Sequence, residues 1–389
     1  MSSRRAHDGK GERVRLALAE IRRAKLRFGL LIGAVALLVF LILFQQTLAG
    51  ALLGSFTDGL GKQSAEVLVF NADARGAVEG SVITPEQVDA VRAVPEVGQA
   101  EPLGVATFSV DVGDGTLTDT SVFGYVLDGP GAPTTLVEGR LPEADGEAVA
   151  SDVDASKGYG IGDTVRVVPG DEPVRIVGLA SNAQFAVQPT LYTTYATWER
   201  LSKAVNPDAP AVLPSLVAVH PAPNATPEEA AAAIDGEVDG VDAVDRQTAV
   251  DNLPGVESIS QSFAVILLLA FIVVVLVTWV FFLILTVQKT QSLTLLRAVG
   301  ASNRYLLANI ALQVTIVTVA GIALASVLLV LATRGGSGGL EVSASPRLIL
   351  TTGASILVLA LLSSVASMRR VAKLDPFEAT QRQAGGGLA

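Results

Sequence analysis

Four stretches of this chain, 28–48, 263–287, 306–331 and 348–368, contain no Asp, Glu, Lys, Arg or His. Each is about 20 residues or longer, enough at 1.5 Å per residue to cross about 30 Å of hydrocarbon. A bilayer interior offers no water to backbone amides, so these runs are expected to be helices. The charge of the chain changes sign across each of the first two. Residues 1–27 hold nine Lys+Arg against three acids, and the loop 288–305 holds Lys289, Arg297 and Arg304 with no acid. The tail 369–389 holds four basic residues against Asp375 and Glu378, whereas the block 49–258 holds 32 Asp+Glu and 10 Lys+Arg. Basic residues beside span ends stay in the cytoplasm. The spacing therefore predicts a multi-pass protein with both termini and the 288–305 loop inside, and with the large block and the loop 332–347 outside.

The formal charge of −10 averages unlike parts: 16 − 5 = +11 for the inner segments, 10 − 32 = −22 for the large block, and +1 from Arg334, Glu341 and Arg347. The basic segments adjoin spans and suit an anionic leaflet and membrane lipid; they are not a nucleic-acid footprint, and no nucleic-acid partner is expected. The first apolar run is longer than the apolar core of a typical signal peptide, so it is expected to be retained as a span. With no cysteine, the large block is held by its core alone.

Along the chain, Val14, Ala17, Leu18, Ile21, Ala24 and Phe28 recur at helical spacing within 11–27, which predicts a basic amphipathic helix at the inner interface. The pattern 48–64 is compatible with the first helix continuing beyond the membrane. The large block reads as α+β. Strands are predicted at 65–70, 105–112, 120–127, 164–168 and 174–179 from β-branched residues bounded by Gly, Pro and Asp, with Asp114-Gly115 as a hairpin turn. Thr84-Pro85-Glu86-Gln87 and Thr226-Pro227-Glu228-Glu229 each supply an N-cap threonine, a proline at the first helical position and a capping-box partner. Each predicted helix precedes a Val-rich piece, at 94–97 and 238–244. This suggests two small α/β lobes, with 139–179 a β-rich lobe between them. Pro254 is expected to break the chain before a long second helix, 256–287.

Chemical motifs are mostly rejected on context. Gly335-Gly336-Ser337-Gly338-Gly339 matches the nucleophile-elbow pattern but lacks the strand–turn–helix setting that strains such a serine. Gly158-Tyr159-Gly160-Ile161-Gly162 precedes a strand, whereas a dinucleotide loop follows one. There is no phosphate-loop signature, so the chain is not expected to be an enzyme or to hydrolyse ATP. His7 and His220 lie on opposite sides of the membrane and cannot share a metal, and no metal site is expected. Asp152/Asp154 and Asp111/Asp114 read as solvated acidic loops in preference to weak calcium sites. The absence of ionisable residues inside the spans argues against proton or ion coupling.

The loop from Gln288 to Ser302, with Leu293-Thr294-Leu295-Leu296-Arg297-Ala298-Val299-Gly300, resembles the E-I-G-x-L-R-A-x-G-A stretch of MacB/FtsX-type ABC transporter permeases. The tail from Arg369, with Leu374-Asp375-Pro376-Phe377-Glu378-Ala379, resembles the L-D-P-x-E-A ending of the same family. Gly139-Arg140-Leu141-Pro142, Gly162-Asp163-Thr164 and Val177-Gly178 are similar to a recurrent part of its extracytoplasmic domain. Ser292 and Thr294 depart from the family's Glu and Gly. The Gln288-Lys289 pair and the moderate outer domain are closest to the DevC/HrtB-like branch, which includes haem exporters.

The resemblance implies a MacB-like (type VII ABC) permease fold: a polytopic α-helical membrane protein of four spans in a 1+3 layout with an inserted α+β extracytoplasmic domain. It implies the bacterial plasma membrane, a homodimer, and two copies of a cytoplasmic ABC ATPase subunit that carries ATP and Mg. No cofactor is expected on this chain. In the 1+3 layout, 28–48 is the first span, 49–258 the outer domain with stalk extensions, 259–287 the second span, 288–305 a coupling loop, 306–331 and 348–368 the last two spans, and 369–389 the tail. Leu293, Leu295, Leu296, Arg297, Ala298, Val299 and Gly300 would form the helix that docks the ATPase, with Asp375 and Glu378 in the tail assisting.

Two functions remain open. One is export of an amphipathic or hydrophobic substrate, with haem, lipid and peptide as candidates. Its site would be a lipophilic cavity among Phe44, Gln45, Gln46, Gln261 and Phe263 of two protomers, with Glu257 the nearest acid. The alternative is a non-transporting, FtsX-like transmitter that regulates an extracellular hydrolase or sensor. Such a protein needs an exposed apolar patch, to which Phe108, Phe123, Phe185, Tyr192, Tyr195 and Trp198 could contribute.

Overall fold

The computed structural model describes residues 25–113, 115–288, 303–333 and 345–371. The amphipathic segment before residue 25, the 289–302 loop, the Gly335–Gly339 run and the tail beyond Val371 lie outside the described residues. The described residues divide into a membrane unit (25–48, 263–288, 303–333 and 345–371) and an inserted domain (within 49–262).

Among the described residues, four helices are long and apolar enough to cross a membrane. They are α1 (Lys25–Gly61), α6 (Val256–Gln288), α7 (Asn303–Thr333) and α8 (Pro346–Val371). In α1, Phe28, Leu31, Val35, Val39 and Ile42 form one buried stripe at three- and four-residue spacing. They pack in one cluster with Val274 of α6, Val314, Val317, Ala325 and Leu329 of α7, and Ile356 and Ala360 of α8. Gly321 of α7 lies against Val35, and a Cβ there would stand 2.7 Å from Val35 Cγ1. Without a hydrophobic drive between helices in lipid, such small residues permit close backbone packing.

The inserted domain is built on one ten-stranded network that has an open half and a closed half. The open half orders β10 (Val241–Asp245), β1 (Val67–Asn71), β9 (Leu216–Pro221) and the first part of β2 (Val97–Asp111), all antiparallel. Its helices are α2 (Pro85–Ala93) and α4 (Pro227–Glu237), and both begin with the expected capping boxes on Thr84 and Thr226. Side chains alternate across a strand. Val67 and Val69 of β1 therefore pack beneath α2 and α4 with Val88, Val91 and Ile234, while Leu68 and Phe70 enter the central core with Leu60, Leu103 and Phe123. The two helix-then-strand units thus share one layer and are not two lobes. The reason is that both helices need the same apolar sheet face to cover.

In the closed half, β2 pairs β3 (Leu117–Tyr125), followed by β8 (Thr190–Thr194), β5 (Glu147–Ser151) and β7 (Glu172–Ala180). Strand β6 (Thr164–Val168) pairs both β7 and β2 and closes the ring. Pairs β3–β8 and β5–β7 are parallel. The barrel is filled by Phe108, Val122, Tyr159, Val165, Ile176 and Leu191, together with Trp198 and Leu201 from α3 (Tyr195–Val205). Gly104 and Gly124 face each other across the β2–β3 pair. A Cβ on either would lie 2.2 Å from Trp198, so the glycine pair is the slot that receives the indole. Strand β4 (Leu136–Gly139) hangs on the edge of β7.

Strand β2 belongs to both halves: Val97–Leu103 pair β9, and Gly104–Asp111 pair β3. The expected strand at 105–112 is therefore only the second half of a 15-residue strand, and the Val-rich piece after α2 is its beginning. The Gly115 hairpin joins β2 to β3, with Gly115 at φ 79°.

Candidate functional site

In the membrane unit the buried polar groups come from facing helices. Thr352 Oγ1 of α8 donates to Gln46 Oε1 of α1 at 2.7 Å. Thr278, Gln313 and Thr318 are also buried. Phe44 stacks on Phe40 with ring centroids 5.7 Å apart. Helix α6 is bare to its surroundings over most of its circumference: Val265, Ile266, Leu268, Leu269, Ile272 and Leu276 are all exposed. Such a surface requires lipid or another helix against it.

Of the expected substrate-site residues, Phe44, Gln45, Gln46 and Phe263 are half-buried and belong to the membrane unit. Glu257 and Gln261 belong to the inserted domain, are exposed, and are joined by a hydrogen bond from Gln261 Nε2 to Glu257 Oε1 of 2.8 Å. Glu257 also lines a cavity of about 620 Å³ with Arg75, Asp242, Asp251, Asn252 and Ser258. The cavity's other lining residues are not marked by any sequence motif. The coupling residues Leu293, Leu295, Leu296, Arg297, Ala298, Val299 and Gly300, with Asp375 and Glu378, lie outside the described residues.

Where α1 ends in the inserted domain, the segment 181–188 closes over its last two turns. Gly59 N–H donates to Gln184 O at 2.6 Å, Ala186 N–H to Phe56 O at 3.0 Å and Val187 N–H to Ser55 O at 2.9 Å. Tyr192 Oη donates to Gly59 O at 2.5 Å, and its complete burial pushes the phenol's pKa upward. Lys62 Nζ donates to Ser181 O and Asn182 O at 3.1 and 3.0 Å and pairs with Asp58 at 2.8 Å. A second cavity, about 400 Å³, is lined by Gly50, Gly54 and Asp58 of α1 and by Arg246, Val250 and Ser260.

Two sequence expectations need correction here. Asp154 is wholly buried, taking hydrogen bonds from Gln184 Nε2 and Lys157 Nζ, and Asp152 Oδ1 accepts from Asn182 N–H at 2.7 Å. The pair pins the 181–184 backbone and is not a solvated loop. Of the aromatic residues considered for an exposed patch, Phe108, Phe123, Phe185, Tyr192 and Trp198 are core and Tyr195 is half-buried, because they fill the barrel and the α1 contact. Among the described residues, exposed apolar side chains gather beside the β4 edge, at Leu136, Val137, Leu141 and Ile161.

Comparisons with known proteins bear on this arrangement. Residues 264–376, from the second apolar helix onward, match the FtsX-like permease C-terminal family. The chain is 27% identical over 371 residues to an uncharacterized ABC transporter permease of Mycobacterium tuberculosis, covering 93% of this chain and 98% of that one. It is 22% identical over 367 residues to a proposed hemin transport system permease protein, HrtB, of Staphylococcus haemolyticus, covering 94% and 98%. Two solved structures align with about half of the chain. The periplasmic region of MacB from Actinobacillus actinomycetemcomitans aligns at 14% identity and TM-score 0.37, covering 48% of this chain and 92% of that one. The extracellular domain of the transporter YknZ from Gram-positive bacteria aligns at 16% identity and TM-score 0.31, covering 46% and 99%. Residues 264–376 thus match an FtsX-like permease C-terminal domain, and the chain, with its four apolar helices, is similar over nearly its whole length to proteins named ABC transporter permeases.

Proposed function

We propose that the chain is the permease subunit of an ATP-driven exporter of an amphipathic or hydrophobic substrate. In this reading two copies form a homodimer in the bacterial plasma membrane, termini inside, and bind two cytoplasmic ABC ATPase subunits that carry ATP and Mg. The observation that carries it is the continuity of α1, which runs unbroken from Lys25 to Gly61 and is gripped at its far end by the inserted domain. A rigid helix of this kind can carry movement from an inner motor to an outer domain. Relatives named as hemin transport permeases favour haem among the substrates, ahead of lipid and peptide. The chain itself would bind no cofactor, haem being cargo.

The apolar helix 293–300 would dock into the ATPase through Leu295 and Leu296. Leu295→Asp with Leu296→Asp is expected to abolish copurification of the ATPase and membrane ATPase activity. Unchanged association would refute the docking assignment. Stimulation of wild-type ATPase by hemin, but not by a lipid or cationic peptide control, would fix the substrate class. The exposed Leu136, Val137, Leu141 and Ile161 beside an open sheet edge favour a second reading, a transmitter that docks an extracellular protein there. Copurification of a cell-wall hydrolase without any small-molecule stimulation would support it.

A further inference from the structure

We infer that the cavity lined by the Arg75 turn, strand β10 and the first turn of α6 binds a zwitterionic phospholipid headgroup, a phosphate joined to a primary ammonium. The inference goes beyond the exporter reading. It needs only that α6 enters a bilayer, and the ATPase experiments above do not bear on it.

The cavity, about 620 Å³, has the size of a small-molecule site, and its walls belong wholly to the inserted domain. Phe70 of β1 pairs with Asp242 of β10, and directly opposed residues share a sheet face. Asp242 therefore stands half-buried on the face that carries Phe70 and Val244 into the central core. Strand β10 leads into α5 (Arg246–Asp251), and Asp251, Asn252 and Leu253 form the next wall. Arg75 completes the lining. It is the left-handed cap of a short helical turn, with φ 52°, and Gly76 follows at φ 76°. A Cβ on Gly76 would stand 3.2 Å from Asn252 O, so this turn packs closely on the 251–253 wall.

Three carboxylates, on Asp242, Asp251 and Glu257, share the cavity with the Arg75 guanidinium. Among the described residues no three such side chains converge to hold a metal ion, so the negative charge is spread along the walls. Asp251 accepts from Gln247 Nε2 at 3.1 Å and Glu257 from Gln261 Nε2 at 2.8 Å. The side chains of Arg75 and Asp242 have no hydrogen bond or ion pair among the described residues. Opposite charges that line one cavity without pairing suit a ligand that carries both signs. A phosphate matches the guanidinium fork. A primary ammonium offers three donors to carboxylates. A choline head offers none and is held by aromatic cages, whereas Phe70 is the one aromatic residue in this lining. Position selects a lipid over a soluble zwitterion. Glu257 and Ser258 lie in the first turn of α6, and Glu257 precedes Phe263, where the charge-free run begins, by six residues. That is about 9 Å of helix, close to the roughly 5–8 Å of headgroup that borders the hydrocarbon on each side.

The test titrates the full-length chain in mild detergent with phosphatidylethanolamine and phosphatidylcholine of matched acyl chains, and native mass spectrometry reads the bound fraction. The ethanolamine lipid is expected to bind about tenfold tighter than the choline lipid, and soluble glycerophosphoethanolamine to displace it. Asp242→Asn is expected to erase the preference and Arg75→Gln to weaken the ethanolamine lipid about tenfold, both with an unchanged thermal transition. Should Asp242→Asn fail to fold, Glu257→Gln, on an exposed helical turn, carries the test of the preference. Equal affinity for the two lipids overturns the inference, as does an ethanolamine affinity that none of these substitutions lowers. Binding of glycerophosphoethanolamine without any preference between the lipids overturns the lipid assignment in favour of a soluble ligand. Each of these outcomes leaves the exporter reading where it stands.

Discussion

Replacing Asp154 by alanine tests whether the buried carboxylate supports the 181–188 segment. Asp154 takes Lys157 Nζ at 2.8 Å and Gln184 Nε2 at 2.9 and 2.8 Å on its two oxygens. Its side chain is fully buried and that of Lys157 is 45% exposed. After Asp154→Ala, Lys157 turns to water, so its half of the pair is worth at most about 1 kcal/mol. Gln184, only 6% exposed, is left with an unsatisfied buried amide at about 1–3 kcal/mol. The sum is about 1–4 kcal/mol. At about 2–4 °C per kcal/mol for a domain of this size, the inserted domain's transition should fall by roughly 2–16 °C in detergent, followed by circular dichroism. Lys157→Ala leaves the carboxylate buried without its cation and should cost at least as much. The double variant should fall short of the sum, because the groups share one network. An Asp154→Ala transition unmoved from the parent, or strict additivity, would refute the reasoning.

Thr352→Val removes the donor to Gln46 Oε1. It should lower the membrane unit's stability by about 0.6–2 kcal/mol in detergent titration, whereas Thr352→Ser should not. Gly104→Ala places a Cβ 2.2 Å from Trp198; the indole must leave its slot, at a cost of about 1–3 kcal/mol or more, and tryptophan fluorescence should shift towards the red. The Arg140 guanidinium, with the Glu143 N–H, holds the Glu147 carboxyl near pKa 2 against an ordinary 4.5. A depressed carboxyl contributes its full stability above the ordinary value and loses it as pH falls towards the folded value. Thermal scans between pH 4.5 and 2 should therefore decline less steeply for Glu147→Gln than for the parent.

Much of this architecture was legible because it is written locally. The apolar runs specify four helices whatever surrounds them, and Pro254 lies in the short break just before α6 begins at Val256. Thr84-Pro85 and Thr226-Pro227 form the hydrogen-bonded boxes that their spacing implies, since every partner lies within three residues. The closed ring was not legible. Its closure depends on β6 meeting β2 at Ser109–Asp111 and on β8 lying parallel to β3, pairings between distant segments that no periodicity encodes. Strand β9 is short and fully apolar over Leu216–Val219, a pattern that a buried helix turn would share.

The grip on α1 was hidden for a sharper reason. Read as sequence, Gly54, Gly59 and Gly61 weaken a helix, because glycine has more backbone freedom to lose than any other residue. In the folded chain Gly59 is where the helix must be bare, since Phe185 occupies the place a side chain would take. The same residue is a defect by propensity and a requirement by packing, and only the identity of the neighbour, more than a hundred positions away, decides between them. Asp154 shows the converse. By composition it belongs to an acidic loop in water, yet Gln184 and Lys157 make it a buried fixture. The residues that decide such a fold are therefore expected at contacts where local propensity and tertiary role disagree, and not among the residues whose chemistry is conspicuous in the sequence.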